Sequence, residues 1–246
     1  MNNFKKKPVW RFTCLLLIVL FPLSCKPRKK RIDMEELENQ LFRGDKKTRL
    51  KAAKLLADGK AFDKRFYQSN QALYLIFRAL KDKDYEVRAY MAIALCHIKT
   101  STSVKVLLKL LDDQHYQVKV GALKGLGSIH HPQSLEPIFY MIKDTNSKVR
   151  IAAIRAANQF KGEKVTRRLI KSLKDIVPTV RIATATSLGK RGDPIALEAL
   201  EKSARRKNRQ VAEKAREAIE LIKQKQRQKK LAATGKQAPG TDRQPR

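Results

Sequence analysis

Five stretches of this chain share one pattern: YEVRAYMAIAL (residues 85–95), YQVKVGALKGL (116–126), SKVRIAAIRAA (147–157), PTVRIATATSL (178–188) and RQVAEKAREAI (209–219). Their valines, Val87, Val118, Val149, Val180 and Val211, recur every 31 residues without a slip. Four residues after each stands Met91, Ala122, Ala153, Thr184 or Ala215, and eight after stands Leu95, Leu126, Ala157, Leu188 or Ile219. Offsets of 0, 4 and 8 share one face of a helix, so each stretch predicts an amphipathic helix.

Working outward, a second set of apolar columns precedes each stretch at the same period. Ile76, Leu107, Ile138, Leu169 and Leu200 form one, and Leu80, Leu111, Ile142, Leu173 and Ala204 form another. These predict a first helix before each of the helices above. An earlier copy, TRLKAAKLL (48–56), follows MEELENQLF (34–42) and places Leu56 in the Leu95 column at a spacing of 39. The eight extra residues fall within GKAFDKRFYQ (59–68). The expectation is an all-α chain of six helix pairs over residues 33–222, stacked as a solenoid in which each repeat contacts only its neighbours.

Between paired helices, Asp82, Asp113, Asp144 and Asp175 stand five residues before the valine, where a carboxylate can cap the second helix. Arg88, Lys119, Arg150 and Arg181 stand one residue after it, about 100° round from the buried face. That position lets them lean toward an Asp of a neighbouring repeat, forming a ladder. Gly127, Gly189 and the Gly192-Asp193-Pro194 sequence are read as turns between repeats.

The segment LGKRGDPIALEALEKSARRKNRQVAEKAREAIELI (188–222) and the D-x-x-x-x-V-R pattern resemble HEAT repeats, most closely the short bacterial type named after phycobilisome lyases. The resemblance implies a right-handed α-solenoid with the second helices lining a concave face. The terminal copies depart from it. The first lacks the valine, and the last has Arg206 where Asp is expected and Ala212 where Arg is expected. Solenoid ends face water rather than a neighbouring repeat.

Catalytic chemistry is not apparent. No Ser-His-Asp spacing or Gly-rich phosphate loop occurs. The histidines are His97, His115, His130 and His131, and Cys96 occupies the column of Gly127, Asn158 and Gly189, a compact position at the end of a helix. That column argues for packing rather than ligation, so no metal and no cofactor is expected. Phycobilisome lyases use the repeat as scaffold, and the chain is read as a non-enzyme.

A binding surface remains. Offsets 2 and 6 of the second helices point away from the buried face. In the middle repeats they set an apolar row, Val120, Ile151 and Ile182, beside Lys124 and Arg155. This is a candidate groove for a protein partner carrying acidic residues. Cover of the same side chains by adjacent repeats is the other reading. Aromatic residues such as Tyr85, Tyr116 and Phe139 fall at scattered offsets and form no base-stacking platform.

The N-terminus carries a separate signal. Lys5, Lys6, Lys7 and Arg11 precede a largely apolar run at residues 13–21, too short for a membrane span and suited to a signal-peptide core. Ser24-Cys25 follows, resembling the lipobox of bacterial lipoproteins, which implies a signal peptide over residues 1–24 and a lipidated Cys25. Pro22 stands where that pattern carries Leu, and the basic linker at residues 25–32 opposes translocation. An uncleaved signal anchor or failed export is therefore the other outcome.

Charge points to anionic partners. The chain carries 55 basic and 23 acidic residues, a net +32. Removal of the signal would leave +28, since four basic residues go with it. Two functions fit. One is a lipid-anchored scaffold of the bacterial cell envelope, with an acidic protein partner and an anionic membrane or envelope surface beneath it. The other is a cytosolic nucleic-acid binder. Residues 223–246, rich in Lys, Gln and Pro, are expected to fray into a disordered basic tail.

Overall fold

Every valine of the repeat is fully buried, and so are Met91, Ala122, Ala153, Thr184 and Ala215 four residues on. Ile76, Leu107, Ile138, Leu169 and Leu200 of the first helices meet them at 0% exposure. Each such leucine or isoleucine contributes about 1.5–3 kcal/mol on burial. The core is therefore the set of 31-residue columns, repeated from one end to the other.

The computed structural model describes residues 33–233. They form six helix pairs: α1 (Met34–Phe42) with α2 (Lys46–Asp58), and then, beyond the short α3 (Lys64–Gln68), α4 (Asn70–Ala79) with α5 (Tyr85–Ala94). The stack continues with α6 (Ser101–Lys109) and α7 (Tyr116–Ile129), α8 (Leu135–Met141) and α9 (Ser147–Ala157), α10 (Glu163–Lys171) and α11 (Pro178–Arg191), and α12 (Leu197–Ala204) and α13 (Arg209–Ala233). The second helices α2, α5, α7, α9, α11 and α13 pack in series. Among the described residues there is no strand, and no helix is long and apolar enough to cross a membrane.

The insertion at residues 59–68 makes α3 and an aromatic plug. Phe62 and Phe66 stack at 4.1 Å, and Tyr67 packs on His97 at 4.7 Å. The buried Tyr67 hydroxyl donates to the Leu56 carbonyl at 2.7 Å, and burial pushes its phenol above the ordinary value. His97 closes the same joint, with Nε2 3.1 Å from the Ala57 carbonyl. This histidine ties repeats together.

Three expectations need correction. Residues 223–233 do not fray: α13 runs on to Ala233. The segment KQKQRQKKLAA contains only good helix formers, and no Gly or Pro interrupts it. Lys225 also packs its stem against Gly192 and donates to the Lys190 carbonyl. Second, Gly127 and Gly189 lie inside α7 and α11 rather than in turns. A Cβ on Gly127 would stand 2.9 Å from the Ala156 Cα, and one on Gly189 would stand 2.8 Å from the Ala218 Cα. They are points of helix contact. The chain instead reverses at His130 and Gly192, both left-handed at φ 59° and 72°.

Third, the four aspartates do not cap the second helices directly. The helices begin after Asp84, His115, Asn146 and Val177, and each Asp accepts the amide of that residue at 2.8–2.9 Å. The carboxylate sits two residues before the cap because its other oxygen faces the preceding repeat. Cys25 and the basic residues at 26–31 lie outside the described residues, as do residues 234–246.

Candidate functional site

Two features stand out along the stack, one at the turns within the helix pairs and one on the second helices. At the turns, Arg49 Nε lies 2.8 Å from Asp82, Arg88 Nε 3.1 Å from Asp113, Lys119 Nζ 3.2 Å from Asp144 and Arg150 Nε 2.8 Å from Asp175. Each cation belongs to one repeat and each carboxylate to the next. The arginines also engage the second carboxylate oxygen through Nη2 at 2.9–3.3 Å, giving two-pronged pairs. Arg49 is a member that the sequence reading missed. It stands one residue after Thr48, in the valine column, but the absent valine hid the register.

The pairs are largely withdrawn from water, with side-chain exposures of 10–16% for the Arg88–Asp113 and Arg150–Asp175 partners. Burial alone would push the Asp175 carboxyl up. The Arg150 hydrogen bond, the Val177 amide and the charges of Arg150 and Arg181 outweigh it and hold the group below the ordinary carboxylate value. Asp113 is held low in the same way: burial is opposed by Arg88 and the His115 amide. Arg181, the last cation in the column, has no such partner.

On the second helices, Val120, Lys124, Ile151 and Arg155 line one cleft of about 830 Å³, with Tyr90 and Ile93 of α5 at one side. Ile151 and Arg155 also border an adjoining cleft of about 510 Å³, which contains Ile182 and Lys190. The two clefts thus share α9. Val120, Ile151 and Ile182 are half-buried, and Val120 and Ile151 pack partly against the core. Neighbouring repeats cover a portion of each side chain and leave the rest as floor. Lys124 and Arg155 are exposed and, among the described residues, pair with no carboxylate. Glu86, the acidic residue in the lining, is engaged by Lys46 at 3.2 Å.

The remaining reactive side chains are used structurally. Burial pushes the Cys96 thiol above its ordinary value, against the pull of a Ser128 hydrogen bond, so the thiolate is disfavoured. Among the described residues, no group of three or more His, Cys, Asp or Glu could hold a metal ion. Arg191 is a further residue that sequence reasoning passed over. It donates to Thr166 Oγ1 at 3.0 Å and to the carbonyls of Phe160 at 2.8 Å and Gly162 at 3.0 Å. A signal existed, because Arg191 interrupts the apolar column of Ile98, Ile129, Phe160 and Ile222.

No curated protein sequence matches the chain significantly. Similar solved structures include an engineered protein, 20% identical over 78% of this chain and 99% of that one, with a TM-score of 0.54. A designed armadillo repeat protein in complex with the peptide (KR)4 is 18% identical over 78% and 100%, with a TM-score of 0.54. The archaeal HEAT-like repeats protein from Thermococcus onnurineus NA1 is 14% identical over 78% and 87%, with a TM-score of 0.51. At these identities they share a fold with this chain. The family model for HEAT repeats matches residues 34–119 and 104–177, more than half of the sequence, and those matches follow the buried columns and the inter-repeat pairs described above. The chain belongs to the HEAT-repeat family.

Proposed function

We propose that this protein is a non-catalytic scaffold whose second-helix face takes an acidic, partly apolar segment of a protein partner. The observation that carries the reading is the pair of adjoining clefts, which have apolar floors while Lys124 and Arg155 stand exposed and unpaired. An apolar floor supplies burial, and unpaired cations select charge. The designed neighbour's complex with (KR)4 supports peptide binding on a fold of this kind. The cleft charge here favours the opposite sign of peptide. The 31-residue period supports placement with the phycobilisome-lyase type of repeat.

The test is a labelled amphipathic peptide of Glu and Leu, titrated beside (KR)4 into wild type and the Lys124→Glu/Arg155→Glu variant. Exposed charge contacts are worth about 0.2–1 kcal/mol each, so reversing two weakens the acidic peptide by roughly tenfold. The variant should also gain affinity for (KR)4. Equal affinities in both proteins would sink the cleft assignment, and binding of duplex DNA in preference to either peptide would favour the nucleic-acid role.

The same proposal includes export and a lipid tether on Cys25, placing the scaffold at the bacterial cell envelope. Lys26, Arg28, Lys29, Lys30 and Arg31, with the basic end of α13, would lie against anionic lipid or polymer. Mass spectrometry of the native N-terminus should find diacylglycerol on Cys25. The Cys25→Ala variant should leave the membrane fraction. An intact, unmodified Met1 would refute the tether and leave the cleft reading standing.

A further inference from the structure

The larger cleft follows the axis of one helix. Its lining residues Tyr116, Val120, Lys124 and Ser128 stand four apart and form one stripe along α7, almost from end to end. α7 is 14 residues long, about 21 Å. α5 and α9 both pack on α7 and supply the two sides. The cleft is therefore a trough along α7 rather than a channel that crosses the second helices.

The two sides differ in chemistry. On α9, Lys148, Ile151 and Arg155 succeed one another at steps of three and four residues, so a half-buried apolar side chain stands between two exposed cations. Those cations are seven residues apart, about 10 Å along the axis. Lys148 donates to the Tyr116 hydroxyl at 3.1 Å and lies 5.0 Å from that ring's centre, so it engages an aromatic group rather than a carboxylate. On α5 the side is Tyr90 and Ile93, with Lys54 5.5 Å from the Tyr90 ring centre. Glu86, at the end of that side, is held by Lys46.

Backbone chemistry decides the form of the occupant. The walls are helices, whose own N–H and C=O groups are paired internally. An extended segment over Val120 and Ile151 would bring two polar backbone groups per residue and meet only scattered side-chain partners such as Gln117 and Gln159. Burying those groups unpaired is costly, whereas a helix arrives with them already paired. We propose that the partner segment enters as an amphipathic α-helix of about 14 residues lying along α7, with acidic residues seven apart facing Lys148 and Arg155 and apolar residues on Val120, Ile151 and Ile93. This rests on the reading of the cleft as a protein-binding site and adds the partner's secondary structure, length and charge register.

The experiment compares two carbon-13-labelled peptides of about 15 residues with identical Glu, Leu and Ala content. One carries Leu at steps of three and four with two flanking Glu residues seven apart, and the other carries Leu at every second position. The first should bind at least about tenfold more tightly and show helical carbon shifts along its whole length when bound. Ser128→Trp, which blocks the far end of the trough, should weaken it by a similar factor. Lys148→Glu should weaken it about threefold, and exchanging the matching peptide Glu for Lys should restore the loss. Equal binding of the alternating peptide, extended shifts in the bound state, or indifference to both variants would overturn the helical occupant. If Lys124→Glu/Arg155→Glu still weakened binding in that event, the cleft assignment would stand. Binding of neither peptide would remove both readings.

Discussion

Replacing Asp175 with Ala should destabilise the solenoid by about 3–5 kcal/mol, the largest loss expected from a single ladder residue. The carboxylate accepts Arg150 Nε at 2.8 Å, Arg150 Nη2 at 2.9 Å and the Val177 amide at 2.9 Å. Arg150 is 8% exposed, so water cannot take over its donors once the carboxylate is gone. The loss would appear in denaturant unfolding as a lower midpoint. By contrast, Glu198→Ala, which removes a helix-surface partner of Lys202, should change stability by no more than about 0.5 kcal/mol. If the ladder serves mainly to fix register, Arg150→Met with Asp175→Leu should recover most of the loss, because a buried pair replaced by apolar groups of similar size leaves nothing unpaired.

Acid should erase the same contribution. Asp113 and Asp175 titrate lower in the folded chain than in the unfolded one. Their pairs therefore stabilise the fold fully above the unfolded carboxylate value of about 3.9. That stability drains away as pH falls from there through the lowered folded values, because the unfolded chain then takes up more protons. The gap between wild type and Asp175→Ala should accordingly close below about pH 4. A gap that did not narrow at all as pH fell below the unfolded carboxylate value would mean that the carboxylates act by packing alone.

The period of 31 made the helix pairs, their order and their buried columns readable before any coordinates, because every repeat solves the same burial problem with the same residue positions. What period cannot convey is the distance between backbones. Gly127 and Gly189 read as turn residues since glycine is so often used there, whereas their role is set by Ala156 and Ala218, 29 residues further on. The aspartates read as caps because a carboxylate five residues before a helical valine satisfies that rule locally. Their competing bond to the previous repeat shifts them outward by two residues. Offsets of 2 and 6 identified which side chains share the outer face of the second helices. The depth of the cleft above them depends on the spacing between α7, α9 and α11, which no single helix encodes. The length of α13 is hidden for a different reason: low apolar content after Ile222 points to disorder, whereas helix propensity and the Lys225 contact carry the helix on to Ala233.

Gly189→Ala provides the sharpest separation between a glycine that fills a helix and one that brings two helices together. In a helix interior, Ala is favoured over Gly by about 0.8–1.0 kcal/mol, so a glycine with open space around it should give a more stable protein when replaced. Gly189 has no such space: the added Cβ would stand 2.8 Å from the Ala218 Cα and 2.9 Å from its Cβ. The first of these is backbone, which no rotamer change can relieve. α11 and α13 must move apart, opening the fully buried contacts of Leu188 and Ala215 near the crossing. Overpacking of this kind costs about 1–3 kcal/mol. The net expectation is therefore a loss, opposite in sign to the propensity effect, and Gly189→Val should be worse. Because each repeat is supported only by its neighbours, the loss should appear first as fraying of α12 and α13. Hydrogen exchange should report it there before the central repeats respond, and a stabilised Gly189→Ala protein would show that α11 and α13 are not held at this distance.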